Sequence, residues 1–205
     1  MTEASYIKAE FPTGQSGDWT LETFEVEGES HSEHAPHFAR LRPGTYSRLK
    51  HRNTVFMTDL YDEWFTQKIA IDEGLARGGH VLITGLGLGM IVDSLLQPAD
   101  SPVERITLIE LSEDVIRLVG PHLEARYGDR LTVHRADAYT WQPPDDARYS
   151  VVWHDIWPNP QDPAVEAEMG LLEARYGPFA DWQGSWPREW SWFYEEKPWP
   201  RETGL

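Results

Sequence analysis

Residues 81–90 of the chain read VLITGLGLGM, and this stretch decides the fold. It begins with an unbroken apolar run at residues 81–84, which is typical of a buried strand. Three alternating glycines follow, Gly85, Gly87 and Gly89, and residues 90–97 then have helical spacing. A glycine-rich turn between a buried strand and a helix lets the backbone approach a ligand closely and presents the helix N-terminus to a polar group. The stretch therefore predicts a strand–helix unit with a binding loop at its turn.

Further strand patterns follow the glycine turn at residues 105–109, 131–135 and 149–154. Helical segments accompany them, and the one at residues 112–127 begins at Ser112, a residue type that favours the N-cap position. Strands that alternate with helices predict a parallel sheet, and unbroken apolar strands predict that both of its faces are covered. The strand pattern stops after Pro163. We therefore expect an α/β three-layer sandwich with a mostly parallel sheet that is shortened at its C-terminal end.

The residues before the glycine turn predict a smaller β unit. Short strand patterns lie at residues 19–26, 44–49 and 54–59, and a turn at residues 51–53 would join the last two as a hairpin. Residues 62–77 carry apolar side chains at helical spacing. We expect three parts, namely an N-terminal β extension at residues 1–60, an α/β domain at residues 61–180 and a Trp-rich tail at residues 181–205.

The composition is that of an ordinary globular chain with a strong acidic bias. Asp and Glu number 34 against 18 Lys and Arg, which gives a formal net charge of −16. Such a charge repels nucleic acid and favours a small-molecule or protein partner. The chain has no cysteine, no apolar run long enough to cross a membrane and no N-terminal secretory pattern, which together predict a cytoplasmic protein.

Acidic side chains stand at the carboxyl ends of the predicted strands, where parallel sheets bind their ligands. Glu110 ends the second strand, roughly 20 residues after the glycine turn, and a carboxylate there can accept both ribose hydroxyls of a nucleoside. Asp137 follows the third strand with Ala138, and its carboxylate suits an adenine amino group. Two ligand classes fit, a dinucleotide and S-adenosylmethionine. The spacing lacks the last glycine of G-x-G-x-x-G, which counts against the dinucleotide.

Four segments resemble motifs of the class I S-adenosylmethionine-dependent methyltransferases, namely VLITGLGLG, ITLIEL, HRADAYTW and YSVVWHDIWP. Within that superfamily the chain is most similar to the spermidine-synthase-like branch. Met57-Thr58-Asp59 and Asp62-Glu63-Trp64 occupy the places of that branch's hairpin aspartate and its D-E-aromatic segment. The resemblance covers about residues 45–160, and it implies a Rossmann-like fold with S-adenosylmethionine as the cofactor.

The resemblance implies a role for each matched position. It assigns the cofactor to seven residues: Gly85, Gly87 and Gly89 under the methionine moiety, Glu110 with the neighbouring Leu111 at the ribose, and Asp137 with the Ala138 backbone at the adenine. It makes Asp155 the residue that faces the reacting centre, where a carboxylate can orient an acceptor and take its proton. Trp157 follows the same strand end, and its indole either holds a cation or packs in the core.

Departures from the aminopropyltransferase pattern favour methyl transfer. Leu88 stands where that pattern has an acid, Thr66 and Gln67 replace a tyrosine and a histidine, and Pro158 replaces a second aspartate. We therefore expect a methyltransferase that acts on a small-molecule or protein acceptor. The alternatives are a spermidine-synthase-like aminopropyltransferase and a non-catalytic module that serves binding or assembly.

Two further patterns lie outside this site. One is a histidine series, His31, His34 and His37. On a helix these side chains could share a metal ion, but Pro36 interrupts the series, so no metal site is expected. The other is a set of tail tryptophans, Trp182, Trp186 and Trp190. They could cover the shortened sheet, close over the active site, or form a patch for homo-oligomerisation.

Overall fold

The computed structural model describes residues 6–27, 30–31, 40–41, 43–159 and 162–189. Its strands are β1 (Gly14–Ser16), β2 (Trp19–Val26), β3 (Ser30–His31), β4 (Arg40–Leu41), β5 (Gly44–His51), β6 (Thr54–Thr58), β7 (Gly79–Thr84), β8 (Val103–Glu110), β9 (Leu131–Arg135), β10 (Val151–His154) and β11 (Gln183–Ser185). Its α-helices are α1 (Tyr61–Thr66), α2 (Lys68–Arg77), α3 (Met90–Leu96), α4 (Glu113–Tyr127) and α5 (Val165–Tyr176).

A parallel sheet forms the centre of the fold, with the strand order β11-β10-β7-β8-β9. Alternate residues of β7 point to opposite faces, because successive side chains of a strand alternate. Val81 and Ile83 belong to the core cluster that also contains residues of α2, α3 and α4, whereas Leu82 belongs to the cluster formed with α5. Helices therefore cover both faces, and the predicted α/β three-layer, Rossmann-like sandwich is confirmed.

The sheet continues further along the chain than the sequence pattern indicates. The sequence shows no strand pattern after Pro163, but Gln183–Ser185 pairs in parallel with Val152–His154. This strand has no apolar run of its own, and its middle residue, Gly184, packs closely between the rings of Trp153 and Trp182. Its conformation thus depends on the neighbouring strand and on tryptophan packing, neither of which a local pattern shows.

The N-terminal residues form a four-stranded antiparallel sheet in the order β1-β2-β5-β6. The predicted hairpin is confirmed, with the turn at Arg52 and Asn53 and a positive φ of 55° at Arg52. Asp59 ties this region together, since its buried carboxylate accepts hydrogen bonds from the backbone N–H groups of Ala9 and Ser47 at 3.0 and 2.7 Å.

The single helix expected at residues 62–77 is divided at Gln67 into α1 and α2. The N–H of Gln67 donates to Trp64 O, three residues back, which makes a tighter turn than that of an α-helix. A second helix then begins at Lys68. This division directs the Gln67 side chain into the protein, where it is 2% exposed.

Two expectations concern residues that the structure describes only in part. His34, His37 and Trp190 lie outside the described residues. Within the described ranges, no group of three His, Asp or Glu side chains could hold a metal ion. Nor is any helix there long and apolar enough to cross a membrane.

Candidate functional site

The turn after β7 is built from glycines at positions where a side chain would be strained. Gly85 has a φ of 99°, and a Cβ placed on it would lie 2.0 Å from the backbone oxygen of Asp155. Gly87 has a φ of 49°, and its Cβ would lie 2.3 Å from Met57 Sδ. Any other residue would be strained at both positions. The loop therefore passes close to the end of β10 on one side and to β6 on the other.

Glu110 fixes this loop from the end of the next strand. Its Oε2 accepts a hydrogen bond from the N–H of Leu86 at 2.9 Å, and its Oε1 accepts one from the N–H of Ser112 at 2.7 Å. Burial raises the pKa of the carboxyl, although these bonds oppose the rise. Each oxygen keeps a further lone pair that can accept from a ligand hydroxyl. Beside it, Leu111 is 68% exposed and offers an apolar surface.

A single cavity of about 650 Å³ contains every site residue that the sequence analysis predicts. These residues are Gly85, Gly87, Gly89, Glu110, Leu111, Asp137, Ala138, Asp155 and Trp157. Asp137 follows β9, and its Oδ1 accepts from the N–H of Tyr139 at 2.8 Å, which orients the carboxylate. The N-terminal sheet supplies a further wall through Trp19 and Met57. The structure thus brings the ends of four parallel strands to one cavity.

Asp155 lies where β10 ends, close to the glycine loop. Its Oδ2 accepts a hydrogen bond from Gln67 Nε2 at 2.9 Å, and Gln67 Oε1 accepts one from Trp153 Nε1 at 2.9 Å. Burial raises the pKa of Asp155 to about 7, and the bond from Gln67 opposes that rise. This carboxylate can therefore exchange a proton near neutral pH.

The cavity also contains acids that sequence reasoning did not assign to the site. Glu63, on α1, faces the same space, and burial together with the charges of Asp155 and Asp62 raises its pKa to about 8. Glu168, on α5, accepts hydrogen bonds from Trp157 Nε1 at 2.8 Å and from the Tyr139 hydroxyl at 3.1 Å. The first-turn position of Glu63 indicates only a favourable helix dipole. Nothing in the local pattern shows which way either side chain points.

The charged side chains in the described lining of the cavity are all acidic. Five carboxyl side chains line it, those of Glu63, Glu110, Asp137, Asp155 and Glu168. Its lining, as far as the chain is described, includes no Lys, Arg or His. A concave site with one sign of charge raises the local concentration of oppositely charged ligands. The cavity therefore favours cations.

Trp157 and Trp186 line this cavity in addition to Trp19. Trp157 is 6% exposed and uses its N–H on Glu168, so its indole is both packed in the protein and present at the cavity wall. Trp186 also lines the cavity, and its N–H donates to Thr66 Oγ1 at 2.9 Å. Trp182 instead stacks on the fully buried Trp153, with ring centres 6.3 Å apart. Residues 182–186 thus pack against the edge of the sheet and against the cavity wall.

No protein-family model matches the chain, and no curated protein matches it. Similar solved structures include the 23S rRNA methyltransferase ErmE, at 19% identity over 59% of this chain and 44% of that one, with a TM-score of 0.42. Spermidine synthase from Thermotoga maritima is 18% identical over 69% of this chain and 46% of that one, with a TM-score of 0.42. Magnesium protoporphyrin IX methyltransferase (ChlM) from Synechocystis PCC 6803, with bound SAH, is 18% identical over 57% and 53%, with a TM-score of 0.41.

The chain thus spans about half the length, or less, of these similar structures. Two of them are methyltransferases and one is a spermidine synthase. At such identities the likeness concerns the fold.

Proposed function

We propose that the chain is an S-adenosylmethionine-dependent methyltransferase that acts on a small-molecule or protein acceptor. One observation carries this proposal, namely the meeting of the glycine loop, Glu110, Asp137 and Asp155 in one cavity. These residues come from the ends of four neighbouring strands, the place where open parallel sheets bind ligands. Asp137, Glu110 and Asp155 would then face the adenine, the ribose and the reacting centre of a bound nucleoside, in that order.

The residues present fit that cofactor. Glu110 would accept the ribose hydroxyls, Asp137 would accept from the adenine amino group, and Leu111 would contribute an apolar face. The glycine loop lines the cavity, and at Gly87 it approaches Met57 of β6 so closely that an added Cβ would lie 2.3 Å from Met57 Sδ. The cofactor is a sulfonium cation, which agrees with a cavity lined by carboxylates. When bound, it supplies an electrophilic methyl group.

Asp155 and Glu63 point to an acceptor that contains an amine. An ammonium group would be attracted to the two carboxylates at this end of the cavity, and it must lose a proton to become a nucleophile. The pKa of Asp155, raised to about 7 by burial, allows it to take that proton near neutral pH. Holding the acceptor in line with the methyl group would supply most of the rate.

Aminopropyl transfer is the second candidate, and two observations favour it. The described lining offers no cation to the carboxylate of a methionine moiety, which suits a decarboxylated nucleoside. Glu63 also supplies a second carboxylate in the cavity, in addition to Asp155, although Pro158 stands where the pattern has one. The non-catalytic alternative, a binding or assembly module, would form oligomers through its tail without binding the nucleoside.

Calorimetric titration with S-adenosylmethionine, S-adenosylhomocysteine and decarboxylated S-adenosylmethionine distinguishes methyl transfer, aminopropyl transfer and the non-catalytic module. We expect micromolar binding of the first two, and methyl transfer from labelled S-adenosylmethionine to an acceptor in a panel of amines and basic peptides. Preference for the decarboxylated nucleoside would replace methyl transfer with aminopropyl transfer. Absence of all binding would refute both enzyme hypotheses and leave the non-catalytic module.

A further inference from the structure

The Gln67 side chain joins a core tryptophan to the acid at the end of β10. Gln67 accepts a hydrogen bond from Trp153 Nε1 at 2.9 Å and donates one to Asp155 Oδ2 at 2.9 Å. It is buried at the junction between α1 and α2, so water does not compete for its amide. Sequence comparison marked this position only as a departure from the aminopropyltransferase pattern.

The direction of these two bonds follows from chemistry. An indole nitrogen carries a proton and has no acceptor, so Trp153 can bond only to the carbonyl oxygen of Gln67. The amide nitrogen must then face Asp155. A flipped amide would place two donors against each other at Trp153 and an oxygen against the carboxylate. The indole therefore sets the amide orientation, and a fixed donor favours the ionised form of the carboxylate that it faces.

Packing holds the Trp153 side chain in one orientation. Trp153 is fully buried within β10, between β7 and β11. Its ring stacks on Trp182 at an interplanar angle of 8°, and it lies against Gly184, where an added Cβ would approach it to 3.0 Å. Packing on both sides holds the N–H in the direction of Gln67.

We propose that Gln67, with its amide fixed by Trp153, is a positioning residue that keeps the Asp155 carboxylate ionised and oriented in the cavity. The inference rests on the proposed function, since it explains how Asp155 is oriented and ionised to take a proton from the acceptor. Two carboxyls in one buried site resist ionising together, and a donor directed to Asp155 favours its ionised form against the charge of Glu63.

The groups around Asp155 support this assignment. Glu63 and Gln67 face it from α1 and the α1–α2 junction, and the glycine loop approaches its backbone from β7. Asp62 adds a further negative charge near Glu63, with both carboxyl oxygens buried and unpartnered. The described cavity lining includes no basic side chain. Thr58 donates hydrogen bonds to Glu63 from its backbone N–H and its hydroxyl, and the Gln67 amide is the side-chain donor that faces Asp155.

Carbon-13 NMR of protein labelled at the aspartate carboxyl carbons tests the inference on the free protein, with Asp155→Asn assigning the signal. We expect Gln67→Met, which has the same length but no donor, to raise the pKa of Asp155 by about one unit or more, a tenfold change in ionisation. Trp153→Phe frees the amide to turn, and a smaller rise is expected. Trp182→Phe is the matched control, because it keeps a ring on Trp153 and leaves the Trp153–Gln67 bond intact.

An unchanged titration of Asp155 in Gln67→Met would overturn the proposal. A rise in Gln67→Met without any rise in Trp153→Phe would overturn the part played by the tryptophan. Trp153→Phe also covers the case in which Gln67→Met fails to fold, since it leaves both polar side chains in place.

A binding assay separates this inference from the proposed function. Sinefungin carries an ammonium group where S-adenosylmethionine has its methylated sulfonium, and S-adenosylhomocysteine carries no charge there. We expect the affinity ratio of sinefungin to S-adenosylhomocysteine to rise with pH as Asp155 ionises, and the midpoint of this rise to move upward in Gln67→Met. An unmoved midpoint would contradict the positioning role. If neither nucleoside binds, the proposed function fails, and the NMR titration still decides on Gln67.

Discussion

Glu110 and Leu86 are joined by a hydrogen bond of 2.9 Å that runs from the backbone N–H of the glycine loop to the carboxylate at the end of β8. The same carboxylate accepts from Ser112, the N-cap of α4. One side chain therefore holds the loop, the strand end and the start of the following helix in register. The acid that would meet the ribose is also the group that shapes the loop beneath the nucleoside.

Replacing Glu110 by Gln tests this double role. The amide keeps one acceptor but puts a donor against one of the two N–H groups, so the loop loses a bond and the ribose loses an acceptor. We expect the affinity for S-adenosylhomocysteine in calorimetry to fall at least about tenfold. Glu104→Gln, an exposed change on the same strand, is the control and should bind as the unaltered protein does. Equal affinities in the two variants would exclude Glu110 from the site.

Gly85→Ala should destabilise the fold strongly. The added Cβ would meet the backbone oxygen of Asp155 at 2.0 Å, and the φ of 99° is unfavourable for alanine. We expect a loss of about 2 kcal/mol or more in the free energy of unfolding by urea. Gly170 is an exposed position of α5, where a new Cβ would meet nothing within 4 Å outside the helix itself, and Gly170→Ala should raise the free energy of unfolding by about 0.5–1 kcal/mol. A stable Gly85→Ala protein would show that the loop can relax away from β10.

The acids of the cavity should make stability fall as the pH rises. Burial raises the pKa of Glu63 to about 8 and that of Asp155 to about 7, whereas both groups ionise near pH 4 in an unfolded chain. Between about pH 4 and pH 8 the unfolded chain thus gives up protons that the folded protein keeps, which favours unfolding. Their contribution is favourable below this range and is lost through it.

Glu63→Gln removes the larger of these two effects. We expect the difference in unfolding free energy between pH 5 and pH 8 to become smaller by at least about 1 kcal/mol, as measured by urea titration at both values. Glu124→Gln, an exposed change on α4, serves as the control. The burial of Glu63 as a neutral acid would be refuted by identical pH dependence in both variants.

The helix after the glycine loop is anchored through a buried acid. Asp93 on α3 is fully buried, and both of its oxygens accept from Arg126 Nη1 on α4 at 2.7 and 2.8 Å. Removing the partner of a buried charge leaves its desolvation uncompensated. We expect Arg126→Met to cost about 2–3 kcal/mol in thermal or urea unfolding. Arg117→Met, which breaks an exposed pair on the same helix, should change stability by about 0.5 kcal/mol or less.

The parts that could be predicted from the sequence are those encoded by local periodicity. The buried strands, the glycine turn and the acids at the strand ends come from unbroken apolar runs followed by polar residues. A parallel sheet brings the carboxyl ends of all its strands to one edge. Glu110 and Asp155 could therefore be placed in one site without knowledge of contacts between distant residues. This is why the predicted site residues line one cavity.

The unpredicted parts depend on contacts between distant residues. Gln67 is a good helix former, and nothing local shows that the helix divides there to bring its amide to Trp153. Glu63 and Glu168 occupy ordinary helical positions, and only the packing of α1 and α5 turns them toward the cavity. Gln183–Ser185 has no strand pattern, because its pairing partner and the tryptophans around it supply what an apolar run would.

The position of β11 has a consequence for how the chain reaches its folded state. It is the last described strand in the chain, and it covers the outer edge of β10, the strand that ends at Asp155. Until residues 183–185 arrive, β10 presents a free row of N–H and C=O groups, which is a template for pairing with another chain. A protein cut before β11 would therefore be prone to aggregation. The short strand both completes the edge of the sheet and prevents β10 from pairing with another chain.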